Sequence, residues 1–358
     1  MKEVNKENVK INFGKYFHKI QQKNPKSSIQ ILINSEKLDF QFTYSADKLN
    51  QPFHIASIGK VFTATLIMIL VERDYLSLKD PITNYFTHNE LAGLFVFNQI
   101  DYLKEVTVEQ LLAHTSGIGD YFDGQVSSGV PVSKLIITEP NKKWTPRELV
   151  DFTRERQNAM DVPGKNFYYS DTGYILLGQL IEKVTDKPFH KNLHDEIFIP
   201  LEMNDSYLLF YSEPINIQNS VQTIWLKGAD VTNFQSLSAD WSEGGIISTP
   251  QDLLTFYKAF RTGKLISEQK LCLMENCNHK FTRGIHYGVG LMEIRFEEFF
   301  FLLRGLPRLK GHIGILSTHI FVDPSTETYI VMNFGSDKLM VPSFKALIEI
   351  VNRMKKVK

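Results

Sequence analysis

Between Val61 and Val71 the chain runs Val-Phe-Thr-Ala-Thr-Leu-Ile-Met-Ile-Leu-Val, eleven residues with no charge and two threonines. Wound as a helix, such a run is apolar on every side, and a helix apolar all round has to be buried. Eleven residues rising ~1.5 Å each are too few to cross the ~30 Å hydrocarbon layer of a bilayer. The remaining elements must therefore wrap around this segment. The chain has the material to do so: 358 residues, 43% hydrophobic and 22% charged, the balance of a globular protein with a sizeable core.

The wrapping elements are legible in outline. Val9, Phe13, Phe17 and Ile20 form one apolar face before Pro25. Two alternating stretches follow, Ile29, Ile31, Ile33 and then Leu38, Phe40, Phe42, Tyr44, joined by Asn34 to Lys37; they predict a β-hairpin. Thr107-Val-Glu-Gln110, Thr145-Pro-Arg-Glu148 and Thr249-Pro-Gln-Asp252 read as helix starts, with Thr at the N-cap and an acidic or amide side chain three residues on. From Ile285 the period returns to two through Tyr287, Val289 and Leu291. A strand over Ile315 to Val322, a turn at Asp323 to Thr326, a strand over Tyr329 to Phe334 and a closing helix from Val341 to Val357 are expected next. Phe296 to Leu309 is unusually apolar and reads as a strand plus a packed loop, or as a greasy wall or dimer contact. Strands at both ends with helices between predict an α+β fold: one sheet from distant segments with a helical lobe inserted. No repeat, low-complexity tract or linker divides it, so residues 1–358 are taken as a single domain. Its α/β lobe is placed at about 1–56 and 240–358, its helical lobe at about 57–239.

Forty basic and forty acidic side chains cancel, which favours neither nucleic acid nor an anionic membrane surface as partner. Two cysteines, Cys272 and Cys277, fit neither a disulfide framework nor a zinc pattern. Met1 to Gln22 is charged and lacks the apolar stretch of a signal peptide, so a cytoplasmic protein with a small-molecule or short-peptide substrate is expected. His190 and His194 stand at a spacing that can hold zinc, but no glutamate follows His190; no metal and no cofactor is expected. His114, ahead of Thr115-Ser116-Gly117, reads as a helix-end residue rather than a second catalytic histidine.

The chemistry lies in three short motifs. Ser57-Ile58-Gly59-Lys60 opens the buried helix and places an amine one turn from a hydroxyl, on the same face. A serine is a poor nucleophile until a neighbouring base takes its proton. Tyr169-Ser170-Asp171 follows a Pro163-Gly164 turn and leads into a helix over Ile175 to Val184. His312-Ile313-Gly314, after Lys310-Gly311, stands at a strand entrance where a glycine lets a substrate backbone approach.

In this order the motifs resemble the serine β-lactamase and penicillin-binding-protein family, especially its class C and DD-peptidase/esterase branch. Phe53 to Ser57, Leu111 to Ile118, Pro163 to Gly178, Pro200 to Met203, Gly244 to Thr249 and Tyr287 to Gly290 extend the likeness over about residues 28 to 335. The resemblance implies a β-lactamase/transpeptidase-like fold, an antiparallel sheet flanked by helices with the site in the cleft beside a helical lobe. It implies that Ser57 is acylated, that Lys60 accepts its proton, and that Tyr169 relays a proton to the leaving group. It places the oxyanion between the N–H groups of Ser57 and Ile315, and His312, Gly314 and Asp171 at the substrate.

Two departures modify this. Asp171 stands where the family usually has Asn; a carboxylate beside Lys60 favours its ammonium and raises Tyr169, so an amine-bearing substrate or an alkaline optimum is expected. His312 replaces the lysine of most β-lactamases with a group that ordinarily titrates near neutrality, so weak or no β-lactam turnover is expected beside cleavage of small activated esters. With ordinary pKa values near ~10.4 and ~10, Lys60 or Tyr169 needs a downward shift of roughly 3 units to act as a base at neutral pH, and the two are expected to share one proton. The competing reading is a non-catalytic sensor that keeps the fold with a degraded site.

Overall fold

The computed structural model describes residues 5–216 and 220–357. Helix α1 (Lys6–Lys23) precedes the hairpin β1 (Gln30–Ser35) and β2 (Phe40–Ser45), followed by α2 (Gly59–Glu72), α3 (Asp171–Thr185), α4 (Trp241–Gly244) and α5 (Pro250–Arg261). The C-terminal third supplies β3 (His279–Thr282), β4 (Ile285–Tyr287), β5 (Met292–Ile294), β6 (Leu309–Gly314), β7 (Thr318–Asp323), β8 (Thr328–Asn333) and α6 (Met340–Met354). The eight strands form one sheet in the order β3-β4-β5-β6-β7-β8-β1-β2. Every pairing is antiparallel, and β1 from the N-terminus lies against β8 from the C-terminus. This is the sheet from distant segments that the two ends of the chain predict.

Both faces of the sheet are covered, and strand alternation divides the side chains between them. Ile31 and Ile33 join Phe13 and Phe17 of α1 and Leu347 and Ile350 of α6 on one face. Leu32, Ile320 and Val331 join α2 and the helical lobe on the other. From Gly59 to Leu70 every residue of α2 is buried, as its lack of a polar side demands. All three threonine caps form: Thr107, Thr145 and Thr249 accept from the N–H of Gln110, Glu148 and Asp252. No helix among the described residues is long and apolar enough to cross a membrane.

Three expectations need correction. The alternating run from Ile285 is a hairpin rather than one strand: Gly288 donates its N–H to Leu291 O at 2.8 Å, and Gly290 adopts φ +78°. The strand expected over Ile315 to Val322 begins only at Thr318, because Ser317 turns back at φ +59° and donates to Gly314 O at 3.0 Å. Phe296 to Leu309 holds no strand until β6 but two short helical turns, Phe296–Phe299 and Phe301–Leu303. Phe296 is buried and Phe299 packs on Phe344 of α6 at 6.0 Å between ring centroids, while Phe300, Phe301 and Leu302 are exposed; Phe296 and Phe299 tie the segment to the core on the α6 face of the sheet.

Candidate active site

Ser57 sits in a 3-10 turn, Ala56–Ile58, that runs into α2. The chain ahead of it is held along the strand Ile246–Ser248: Phe53 and His54 pair with Ser248 and Ile247, and Ile55 donates to Ile246 O at 3.0 Å. Ala56 is forced to φ +50°, a left-handed conformation costly for a residue with a side chain. Its N–H is held by His54 Nδ1 at 3.1 Å. Two glycines make the crowding possible. A Cβ on Gly59 would lie 2.9 Å from Gly244 Cα, and one on Gly314 would lie 2.8 Å from both Ala56 Cβ and Ile55 O. The glycine of the third motif thus admits the chain's own Ser57 turn to the sheet, where a substrate backbone was expected.

The turn aims the Ser57 hydroxyl into a cleft of about 340 Å³ between the sheet and the helical lobe. Behind it Lys60 is fully buried, with Nζ 3.2 Å from Ser57 Oγ. The same amine is 2.6 Å from Asp171 Oδ1, in hydrogen-bond contact with Glu243 Oε2, and 3.2 Å from Glu243 O. Tyr169 directs its phenol toward Ser57 and its ring toward Lys60, whose Nζ is 5.1 Å from the ring centroid. Asp171, Gly314 and Ile315 line the cleft with Ser57 and Tyr169. Asp171 is the first residue of α3, capped by Ser170, where helix amides favour a carboxylate.

The charges around Lys60 oppose the expected downward shift. Burial disfavours its ammonium, but Asp171 and Glu243 outweigh burial and hold the amine well above its ordinary range. Burial pushes the Tyr169 phenol up; Lys60 works against this, and Asp171 and Glu243 add to it. Burial and Asp171 likewise push Glu243 well up, with Lys60 opposing. The Lys60 amine thus contacts two acids directly and meets Tyr169 only at its ring face.

His312 is not at the cleft. Strand alternation turns Ile313 to the cleft wall and His312 into the protein, fully buried. Its Nε2 is 3.2 Å from the Tyr287 hydroxyl, which lies 3.3 Å from that of Tyr174; Tyr174 donates to Leu112 O at 2.9 Å. Burial and Lys60 push the imidazole down to about 3, so it stays neutral where a group titrating near neutrality was expected.

Several site residues escaped the sequence. Glu243 has the clearest trace: an acid directly before Gly244-Gly245. Asp120 and Asp240 line the cleft, from segments with no motif. His114 ends its helix at φ +56°, and its Nδ1 accepts the Ser170 N–H at 3.1 Å. Its ring stacks 4.2 Å from that of Tyr169, so a helix-end residue also fixes the tyrosine.

The Beta-lactamase family model matches residues 43–349. Penicillin-binding protein 4* of Bacillus subtilis (strain 168) is 29% identical over 160 residues, 44% of this chain and 31% of that protein. A putative penicillin-binding protein of the same strain is 27% identical over 240 residues, 66% of this chain and 53% of that protein. The chain thus spans about a third to a half of the curated relatives it matches. Among solved structures, a D-stereospecific amidohydrolase from Streptomyces sp. aligns with TM-score 0.72 at 25% identity, covering 87% of this chain and 89% of that one. The D-amino acid amidase from Ochrobactrum anthropi SV3, complexed with D-phenylalanine, aligns with TM-score 0.78 at 22% identity over 97% and 99%; at that identity the likeness speaks for the fold.

Proposed function

Because the chain belongs to the Beta-lactamase family, we propose that it is a serine hydrolase that forms an acyl-enzyme on Ser57 and cleaves ester, amide or D-amino-acid peptide bonds. The observation that carries this is the Ser57 hydroxyl at the cleft floor with the buried Lys60 amine 3.2 Å behind it. A hydroxyl held against a proton-accepting relay is the requirement for nucleophilic catalysis.

Lys60 passes protons instead of storing one. As Ser57 Oγ attacks the carbonyl carbon, its proton moves to Lys60 Nζ, and Lys60 hands one of its own to the raised carboxylate of Glu243. The C–O bond forms while the carbonyl π pair moves to oxygen, where the N–H groups of Ser57 and Ile315 receive it. Such donors are worth ~2.7–4 kcal/mol each. Tyr169, kept protonated by its surroundings, gives its proton to the leaving amine or alkoxide and recovers one from the Lys60 set. Water then repeats the steps in reverse to free the acid.

The cleft disfavours β-lactams as substrates. The acids Asp120, Asp123, Asp171, Asp240 and Glu243 line it while His312 is neutral behind the wall, so an anionic β-lactam carboxylate meets repulsion. A fluorophosphonate probe is expected to label the wild type and not Ser57→Ala, and p-nitrophenyl acetate to be cleaved faster than nitrocefin. Absence of labelling overturns the hydrolase reading in favour of a binding protein; faster nitrocefin cleavage overturns the substrate order.

A further inference from the structure

We propose that the cleft selects substrates carrying a primary ammonium close to the scissile carbonyl, and that Asp240 is the residue that holds it. The proposal rests on the hydrolase reading above and names the substrate class of the same site. It also moves the expected amine contact away from Asp171, whose carboxylate is occupied by Lys60.

Of the five acids in the cleft, the other four have partners. Glu243 also holds Lys60. Asp120 accepts the backbone N–H groups of Phe122 at 3.3 Å, Asp123 at 3.0 Å and Asp171 at 3.0 Å. Asp123 takes the Ser133 hydroxyl and lies 3.5 Å from Lys227 Nζ. Asp240 is different. It is only 7% exposed, yet its Oδ1 meets no hydrogen-bond donor among the described residues. Its Oδ2 lies 3.6 Å from His54 Nε2, beyond hydrogen-bonding distance. His54 spends its Nδ1 lone pair on the Ala56 N–H and is pushed by burial to about 4, so it is neutral and supplies no positive charge.

A buried carboxylate without a partner is costly, and here burial, with Asp171 adding to it, pushes the carboxyl up to about 7. Without ligand, Asp240 is relieved by a hydrogen bond with Glu243, whose own carboxyl is pushed well up. A ligand ammonium replaces that bond with a charge-assisted one. Asp240 and Ser57 line the same cleft, and Glu243, which hydrogen-bonds Asp240, contacts the Lys60 amine that also contacts Ser57, so a cation at Asp240 shares the cleft with the carbon that Ser57 attacks. The facing wall is apolar, with Phe281, Ile285, Met292, Ile313 and Phe344. Together these fit an ester or amide of an amino acid with a free amino group and an apolar side chain.

The test compares kcat/KM for D- and L-phenylalanine p-nitroanilide, their N-acetyl derivatives, and 3-phenylpropionyl p-nitroanilide, which lacks the amine. Calorimetry of phenylalanine amide and 3-phenylpropionamide on Ser57→Ala runs beside it. At least one free-amine enantiomer is expected to exceed both neutral analogues roughly 10- to 100-fold, the worth of a hydrogen bond to a charged group, and only the amine to bind Ser57→Ala. In Asp240→Asn the amine-to-neutral ratio is expected to fall at least about tenfold, and in Asp240→Glu, which keeps the charge, to stay nearer wild type. Equal handling of amine and neutral analogues, or a ratio unchanged in Asp240→Asn, overturns the proposal. If nothing is hydrolysed and Ser57 is not labelled, the hydrolase reading falls, and the calorimetry alone decides this one.

Discussion

Asp171 and Glu243 reach Lys60 from different helices, and their charges set the working pH of the site. Negative neighbours stabilise an ammonium, so removing one lowers the pKa of the amine it faced. Asp171→Asn is therefore expected to shift the acid limb of the pH–kcat/KM profile for p-nitrophenyl acetate to lower pH, by about 1–3 units. The sign follows from Glu243, the acceptor of the relayed proton, whose carboxyl Asp171 helps to push up. With that anion gone, Glu243 becomes an accepting carboxylate earlier as pH rises. An unmoved limb would mean that Asp171 does not govern the proton. Asp171 is visible as a departure from a family pattern; that Glu243 doubles its effect is visible only where α4 meets α2.

At the scale of elements, the site depends on how closely three pieces of backbone approach. β6 touches the Ser57 turn at Gly314, and α2 touches α4 at Gly59 and Gly244. Gly314→Ala puts a methyl group 2.8 Å from Ile55 O and Ala56 Cβ, with the Ile55 carbonyl already tied to Thr318 Oγ1 at 2.9 Å. Overpacking of this kind costs about 1–3 kcal/mol. A serine displaced by about an ångström loses roughly 100-fold in rate, so kcat/KM is expected to fall well beyond what the loss of folded protein explains. Gly14→Ala is the control: α1 leaves open space there, with nothing within 4 Å of an added Cβ. That change is expected to raise stability by about 0.5–1 kcal/mol, with activity unaffected. Urea denaturation read beside kcat/KM for both variants checks this, and a Gly314→Ala enzyme as active as wild type would refute the packing account.

For the molecule as a whole, the acidic cleft has a cost that depends on pH. Asp240 is pushed up to about 7 in the fold, above its ordinary 3.8. The folded state therefore holds a proton that the unfolded chain has released. Its contribution to stability is full below about pH 4 and is lost as pH rises through about 7. Asp240→Asn cannot ionise and escapes that loss. The variant is expected to gain stability relative to wild type from pH 4 to pH 8, by a few kcal/mol at the upper end, at 1.36 kcal/mol per unit. Denaturation midpoints of both proteins across that range test it; parallel curves would show that Asp240 already has a partner.

What the sequence determined by itself were the properties carried by local order. An apolar run without a polar side had to become the central helix, threonine caps had to start helices, and Ser57 and Lys60, one turn apart, had to share a face. Alternation gave the β1–β2 hairpin, and failed where short turns interrupt it at Gly288–Leu291 and Ile315–Ser317. The tertiary structure decided whatever depends on distance between remote segments. It brought Glu243 to Lys60 and Asp240 to the cleft, stacked His114 on Tyr169, and turned His312 away from the substrate. Ionisation belongs to that second class because desolvation and neighbouring charge set it, and neither is a property of a residue in its sequence context.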